Sequence, residues 1–201
     1  GNMKVEKAVL FPETDSATFQ EWMGNFLTHT QDNNATFQAM HTYFDGMDTL
    51  SVTEQIPFSS DRKWSAMTFS GVGTLVIGAP ERLSPEKLPE SVLEAQQNGK
   101  RVLLAGITQH PVQKEQPLPE IQLLAEVILT DPLRANAAKT IAAFQQEGVS
   151  VKLISGDNPM TASAMAQQAG IFQGDRWVDM RTVADSEMDA AAAQYTVFGR
   201  V

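Results

Sequence analysis

Three short stretches of this chain carry residue types able to do chemistry. In Pro57-Phe58-Ser59-Ser60-Asp61-Arg62-Lys63-Trp64, an aromatic, two cations and two hydroxyls cluster where a strand begins. An aromatic face stacks on a base such as adenine, and a nearby lysine contacts phosphate or lies beside the base. The same residues equally describe an edge strand whose charges blunt aggregation. Gly78-Ala79-Pro80-Glu81-Arg82-Leu83 offers small residues that let a ligand approach the backbone closely, or simply a strand ending in a turn before a Ser84-capped helix. In Val151 to Ala162 an apolar strand delivers Ser155, Gly156 and Asp157 at its C-terminal end, directly before a helix N-terminus, where open α/β sheets bind anionic ligands. Any Ser-Gly-Asp turn also caps a helix, so this loop by itself leaves both readings open.

The elements that must position these residues follow from periodicity. Lys4 to Phe11 reads as a strand ending at Pro12. From a cap at Asp15 or Ser16, Phe19, Trp22, Met23, Phe26 and Leu27 recur at the spacing of an amphipathic helix. A second short helix, with Phe37, Met40 and Phe44 inward, runs to Asp45-Gly46. The period then changes to β-rich runs at Leu50 to Phe58, Lys63 to Ser70, Val72 to Gly78 and Lys100 to Thr108. With a hairpin signal at Ser70-Gly71, they predict an antiparallel sheet with helices on one side. Pro111, Pro117 and Pro119 mark an exposed connection. Beyond it come a strand at Ile121 to Leu129, a turn at Asp131 to Arg134, a helix at Ala135 to Glu147 closed by Gly148, a strand at Val149 to Ile154 and a helix through Gly170. That alternation is the grammar of a parallel α/β sheet and places a domain boundary near Asp131.

Composition narrows the function classes. The chain has 201 residues, of which 42% are hydrophobic and 19% charged, enough to bury a real core. A formal net charge of -9 argues against nucleic acid or an anionic membrane surface as partner, since both demand a basic face. There is no cysteine, and His29, His41 and His110 lack ligand spacing, so no protein-held metal is expected. The apolar runs are far shorter than the ~20 residues that cross a bilayer. Trp22, Trp64 and Trp177 read as core or rim aromatics.

Taken in order, these segments resemble the P-type ATPases of the cation-transporting E1-E2 class. Phe58 to Lys63 is similar to the family's adenine-binding segment. Gly78-Ala79-Pro80-Glu81 matches its Lys-Gly-Ala-Pro-Glu motif, with Ile77 at the lysine position. Lys100 to Ala105 resembles the strand whose arginine reaches the nucleotide phosphates, Asp131-Pro132-Leu133-Arg134 the Asp-Pro-Pro-Arg hinge, and Ser155-Gly156-Asp157-Asn158 the Thr-Gly-Asp loop, with Thr161-Ala162 and Gly170-Ile171 following. Val197 to Val201 resembles the segment leading to the catalytic lysine. The wording around Phe58 is closest to a bacterial branch related to calcium pumps.

The resemblance implies an α/β protein: an α+β nucleotide-binding domain over 1–130, then part of a parallel, haloacid-dehalogenase-like phosphorylation domain over 131–201. It implies ATP as ligand, and Mg2+ whose ligands lie outside this chain. It implies as partners the remaining phosphorylation, actuator and membrane domains of a pump, with the fragment at the cytoplasmic face of the cell membrane. Phe58 then stacks on adenine, Lys63, Gly78, Ala79 and Arg101 line the nucleotide, Arg134 and Arg200 meet it when the domains close, and Ser155, Gly156 and Asp157 sit near the transferred phosphate. Because Ile77 supplies no charge, affinity is expected to rest on the adenine ring, and Ile77→Lys to favour the triphosphate. The phosphorylated aspartate is expected upstream of Gly1 and the magnesium motif beyond Val201, so the fragment alone is expected to be inactive. The competing readings are a haloacid-dehalogenase-like phosphatase, whose Asp-x-Asp nucleophile Lys4 to Phe11 lacks, and a non-catalytic nucleotide-sensing or docking module.

Overall fold

The computed structural model describes residues 3–131 and 135–201. It has two compact units, one of Asn2–Val92 with Val102–Thr130, the other of Leu93–Arg101 with Asp131–Val201. The first holds a six-stranded sheet in the order β1-β6-β5-β4-β3-β2. Its strands are β1 (Lys4–Leu10), β2 (Val52–Ile56), β3 (Trp64–Phe69), β4 (Gly73–Gly78), β5 (Arg101–Thr108) and β6 (Gln122–Thr130). β1 pairs antiparallel with β6, and β2 to β5 pair antiparallel in succession. The β3–β4 hairpin closes at Gly71, whose φ of 74° is open to glycine without strain.

Two helices cover one face of this sheet. α1 (Ser16–His29) starts at Asp15, whose carboxylate accepts hydrogen bonds from the Thr18 backbone N–H (3.0 Å) and hydroxyl (2.7 Å). α2 (Ala35–Tyr43) is capped in the same way by Asn34. Of the expected helix stripe, Phe19, Met23, Phe26 and Leu27 are all at most 1% exposed, each worth about 1.5–3 kcal/mol of burial, while Trp22 is only partly buried against the same core. They pack with Phe37, Met40 and Phe44 on Met67, Phe69, Leu75, Ile77, Ala105 and Ile107, the residues that alternate to that face of β3, β4 and β5.

After β4 come α3 (Pro80–Leu83) and α4 (Glu90–Gln97). Here the expected cap is corrected. Ser84 ends α3 rather than starting the next helix, its N–H bonding to Pro80 O and its hydroxyl to Lys87 O. Pro85 and Pro89 disfavour helical backbone in the residues before them, so α4 begins only at Glu90.

The second unit holds a three-stranded parallel sheet in the order β7-β9-β8, from β7 (Leu153–Ile154), β8 (Trp177–Asp179) and β9 (Val197–Gly199). α5 (Ala135–Gln146) and α6 (Pro159–Gln168) precede and follow β7, and α7 (Met188–Gln194) precedes β9. Ala162, Ala166 and Ala169 pack on Val197 and Ile171. The strand expected from Val149 is shorter than its apolar run, because Val149 is used elsewhere. Its N–H closes α5 on Phe144 O, with Gly148 left-handed at φ 77°, and β9 offers only three residues to pair with. β8, α7 and β9 carry no sequence periodicity strong enough to announce them.

Candidate functional site

The Phe58 segment is a closed loop between β2 and β3. β3 is an interior strand, paired on both sides, so the edge-strand reading falls. Lys63 N–H donates to Ser59 O (2.8 Å), and Arg62 N–H to Ser59 Oγ (3.1 Å). The Arg62 guanidinium donates to Pro57 O and lies 5.4 Å from the centre of the Trp64 ring. Lys63 itself is left-handed, at φ 61°, a conformation that costs a non-glycine residue energy and that surrounding structure must enforce. Phe58 keeps 36% of its surface exposed while its backbone N–H donates to Asp32 Oδ2 (3.0 Å).

Gly78 and Ala79 lie against this loop. Gly78 pairs with Trp64 across the hairpin, and a Cβ there would stand 2.5 Å from Trp64 Cβ and 2.6 Å from Lys63 O. The glycine therefore admits the chain's own β3, and Ala79 N–H fixes the arrangement by donating to Lys63 O (2.9 Å). Ile77 corrects an expectation. Its side chain is 1% exposed in the helix-side core and faces no open pocket. A lysine there would bury an ammonium instead of offering one to a ligand.

The second unit gathers Ser155, Gly156, Asp157, Arg101 and Arg200. Asp157 Oδ2 accepts from Arg101 Nε (3.0 Å) and Nη2, while Ser155 Oγ accepts from the Asp157 N–H (3.1 Å). β9 continues alongside this loop: Ser155 N–H donates to Phe198 O (2.9 Å) and Arg200 N–H to Asp157 O (2.9 Å). Asn158 Oδ1 caps α6 at Met160 N–H (2.8 Å), and Gly199 lets Pro159 approach to where a Cβ would meet its Cα at 2.5 Å. Arg200 is largely enclosed and donates to Asp179 Oδ2 (2.8 Å), which also accepts from Arg181 (2.9 Å). Two cations assigned to the nucleotide thus hold carboxylates of their own unit. Asp32 and Asp179 escaped the sequence reading, because only the folded backbone brings each to its partner.

Arg134, with Pro132 and Leu133, lies outside the described residues. Among the described residues no cluster of three or more His, Asp or Glu side chains forms a metal site, and no helix is long and apolar enough to cross a membrane.

No family model matches the chain. Among curated proteins it is 37% identical to the probable cation-transporting ATPase exp7 of Streptococcus pneumoniae over 204 aligned residues, covering all of this chain and 26% of that protein. It is 34% identical to the calcium-transporting ATPase CtpE of Mycobacterium tuberculosis over 175 residues, covering 84% of this chain and 21% of the relative. The probable cation-transporting ATPase I of Mycobacterium leprae aligns over 96% of the chain at 27% identity. The chain is similar to one part of the cation-transporting ATPases, as a fragment of a P-type ATPase would be. It spans 26% and 21% of the length of the first two of these relatives. The alignment with exp7 runs the whole length of this chain, including the poorly periodic stretch after Gly170.

Proposed function

We propose that this chain holds ATP for a P-type cation pump, with residues 1–130 acting as the nucleotide-binding domain and 131–201 as part of the phosphorylation domain. Phe58 stacks on the adenine, and Lys63 supplies positive charge beside it. The observation that carries this reading is the Phe58 ring, left 36% exposed on a loop that hydrogen bonds hold closed. A large exposed aromatic on a rigid loop next to a cation suits a base and its phosphates.

In the parent, Ser155, Gly156 and Asp157 lie by the transferred phosphoryl group and Arg200 and Arg134 meet the nucleotide. Arg101 reaches a phosphate only by loosening its pair with Asp157. Phosphoryl transfer suits such a set, since it needs positioning and charge neutralisation more than covalent chemistry from side chains. The Mg2+ that the reaction uses is assigned to ligands elsewhere in the parent. Cation transport, with calcium as the candidate ion, and a place at the cytoplasmic membrane face belong to the same proposal. So does its association with the pump's actuator and membrane domains.

Calorimetric or NMR titration of the 201-residue chain with ATP tests the site. Phe58→Ala is expected to weaken binding about tenfold or more, since base stacking is worth ~1–3 kcal/mol and a decade of affinity ~1.4 kcal/mol. Unchanged affinity in the folded variant refutes the assignment.

A further inference from the structure

We infer that Asp32 is a positioning residue for the Phe58 platform: its carboxylate holds the loop in the geometry that accepts an adenine ring. The inference rests on the nucleotide reading and extends it to a residue in a different part of the sequence. Asp32 lies between α1 and α2, 26 positions before Phe58, and its Oδ2 accepts the Phe58 backbone N–H at 3.0 Å. The Asp32 end of that bond is itself fixed, because the Asp32 N–H donates to Thr30 Oγ1 at 3.2 Å. Three positions earlier on each side, Gln55 Nε2 donates to His29 O at 3.2 Å, so the α1–α2 connection is tied to the β2 end at two places.

The chemistry of this anchor is specific. A carboxylate accepting a backbone N–H makes a charge-assisted bond, stronger than one between neutral groups. Pro57 precedes Phe58 and has a fixed φ, so pinning the next N–H leaves the backbone at Phe58 little freedom. Within the loop the other ties run from Arg62 to Pro57 and Ser59 and from Lys63 to Ser59, and none of them holds the Phe58 backbone itself. An aromatic that must stay exposed to receive a base gains from such an anchor, because ordering it at the moment of binding would subtract from affinity.

The test uses the 201-residue chain and four variants, Asp32→Ala, Asp32→Asn, Phe58→Ala and the Asp32→Ala/Phe58→Ala double, each titrated with ATP. Hydrogen exchange at the Phe58 amide is followed in parallel. Asp32→Ala is expected to weaken ATP binding by about three- to tenfold, the range spanned by ordering one side chain and its loop. It should also speed exchange of that amide. Asp32→Asn keeps an acceptor oxygen and should recover most of both. In the Phe58→Ala background, removing Asp32 should change affinity no further. If Asp32→Ala weakens ATP equally with and without Phe58, or leaves affinity unchanged, the positioning role is overturned while the nucleotide reading stands. If wild type binds no ATP, both fall.

Discussion

At the scale of single residues, Lys63 and Ile77 make opposite demands. Lys63 sits at φ 61°, in the region that costs an L-residue roughly 1–2 kcal/mol, in a loop proposed to need its charge. Lys63→Gly is expected to stabilise the fold by up to about 1 kcal/mol after the entropy of the extra glycine, read as a raised chemical-denaturation midpoint, while lowering ATP affinity. A variant that gained stability and kept full affinity would assign the strain no functional counterpart. Ile77→Lys runs the other way. Its ammonium would enter a core beside Met67, Phe69 and Ile107, with an effective desolvation penalty of several kcal/mol. A domain stable by about 5–15 kcal/mol loses a large share of that, so the expected result is a strongly lowered midpoint rather than a preference for triphosphate. Ile77→Val, costing about 0.5–1.5 kcal/mol, is the control for volume alone.

Helix α1 provides a test among the elements. The hydrogen bonds from the Thr18 hydroxyl and N–H hold the Asp15 carboxyl below its ordinary value. A carboxylate with a depressed pKa stabilises the fold fully above its unfolded value, and that stabilisation is lost as pH falls through the folded one. Asp15→Asn keeps a capping oxygen without the titration. Thermal unfolding followed from pH 7 down into the acid range should therefore show wild type losing its advantage over Asp15→Asn as Asp15 protonates. Parallel curves at every pH would show that the cap's charge contributes nothing.

Considered as a whole molecule, the chain is proposed to supply no phosphorylated aspartate of the family's kind. The sequence contains no Asp-Lys-Thr-Gly-Thr, and β1, its first strand, has no aspartate and pairs antiparallel with β6. The 201-residue chain is accordingly expected to form no acid-stable phosphoenzyme from labelled ATP, even where it binds the nucleotide. Labelled protein surviving acid precipitation would overturn this and require another acceptor.

The sequence by itself determined what depends on neighbours in the chain. The α1 stripe, the Asp15 cap, the Ser70-Gly71 hairpin and the Gly148 helix stop are all local, because periodicity, capping and turn chemistry act over a few residues. The motif residues from Phe58 to Asp157 were likewise legible as a series, which is how the family resemblance arose. What tertiary structure alone decided was partnership at long range. The placing of Ile77 in the core and the cutting of β7 to two residues are of this kind. The engagement of Arg101 by Asp157 and of Arg200 by Asp179 joins residues 56 and 21 positions apart. The binding of Phe58 by Asp32 belongs with them. Each follows from which strands pair and which face they bury, a choice made by the whole sheet rather than by any short window of sequence.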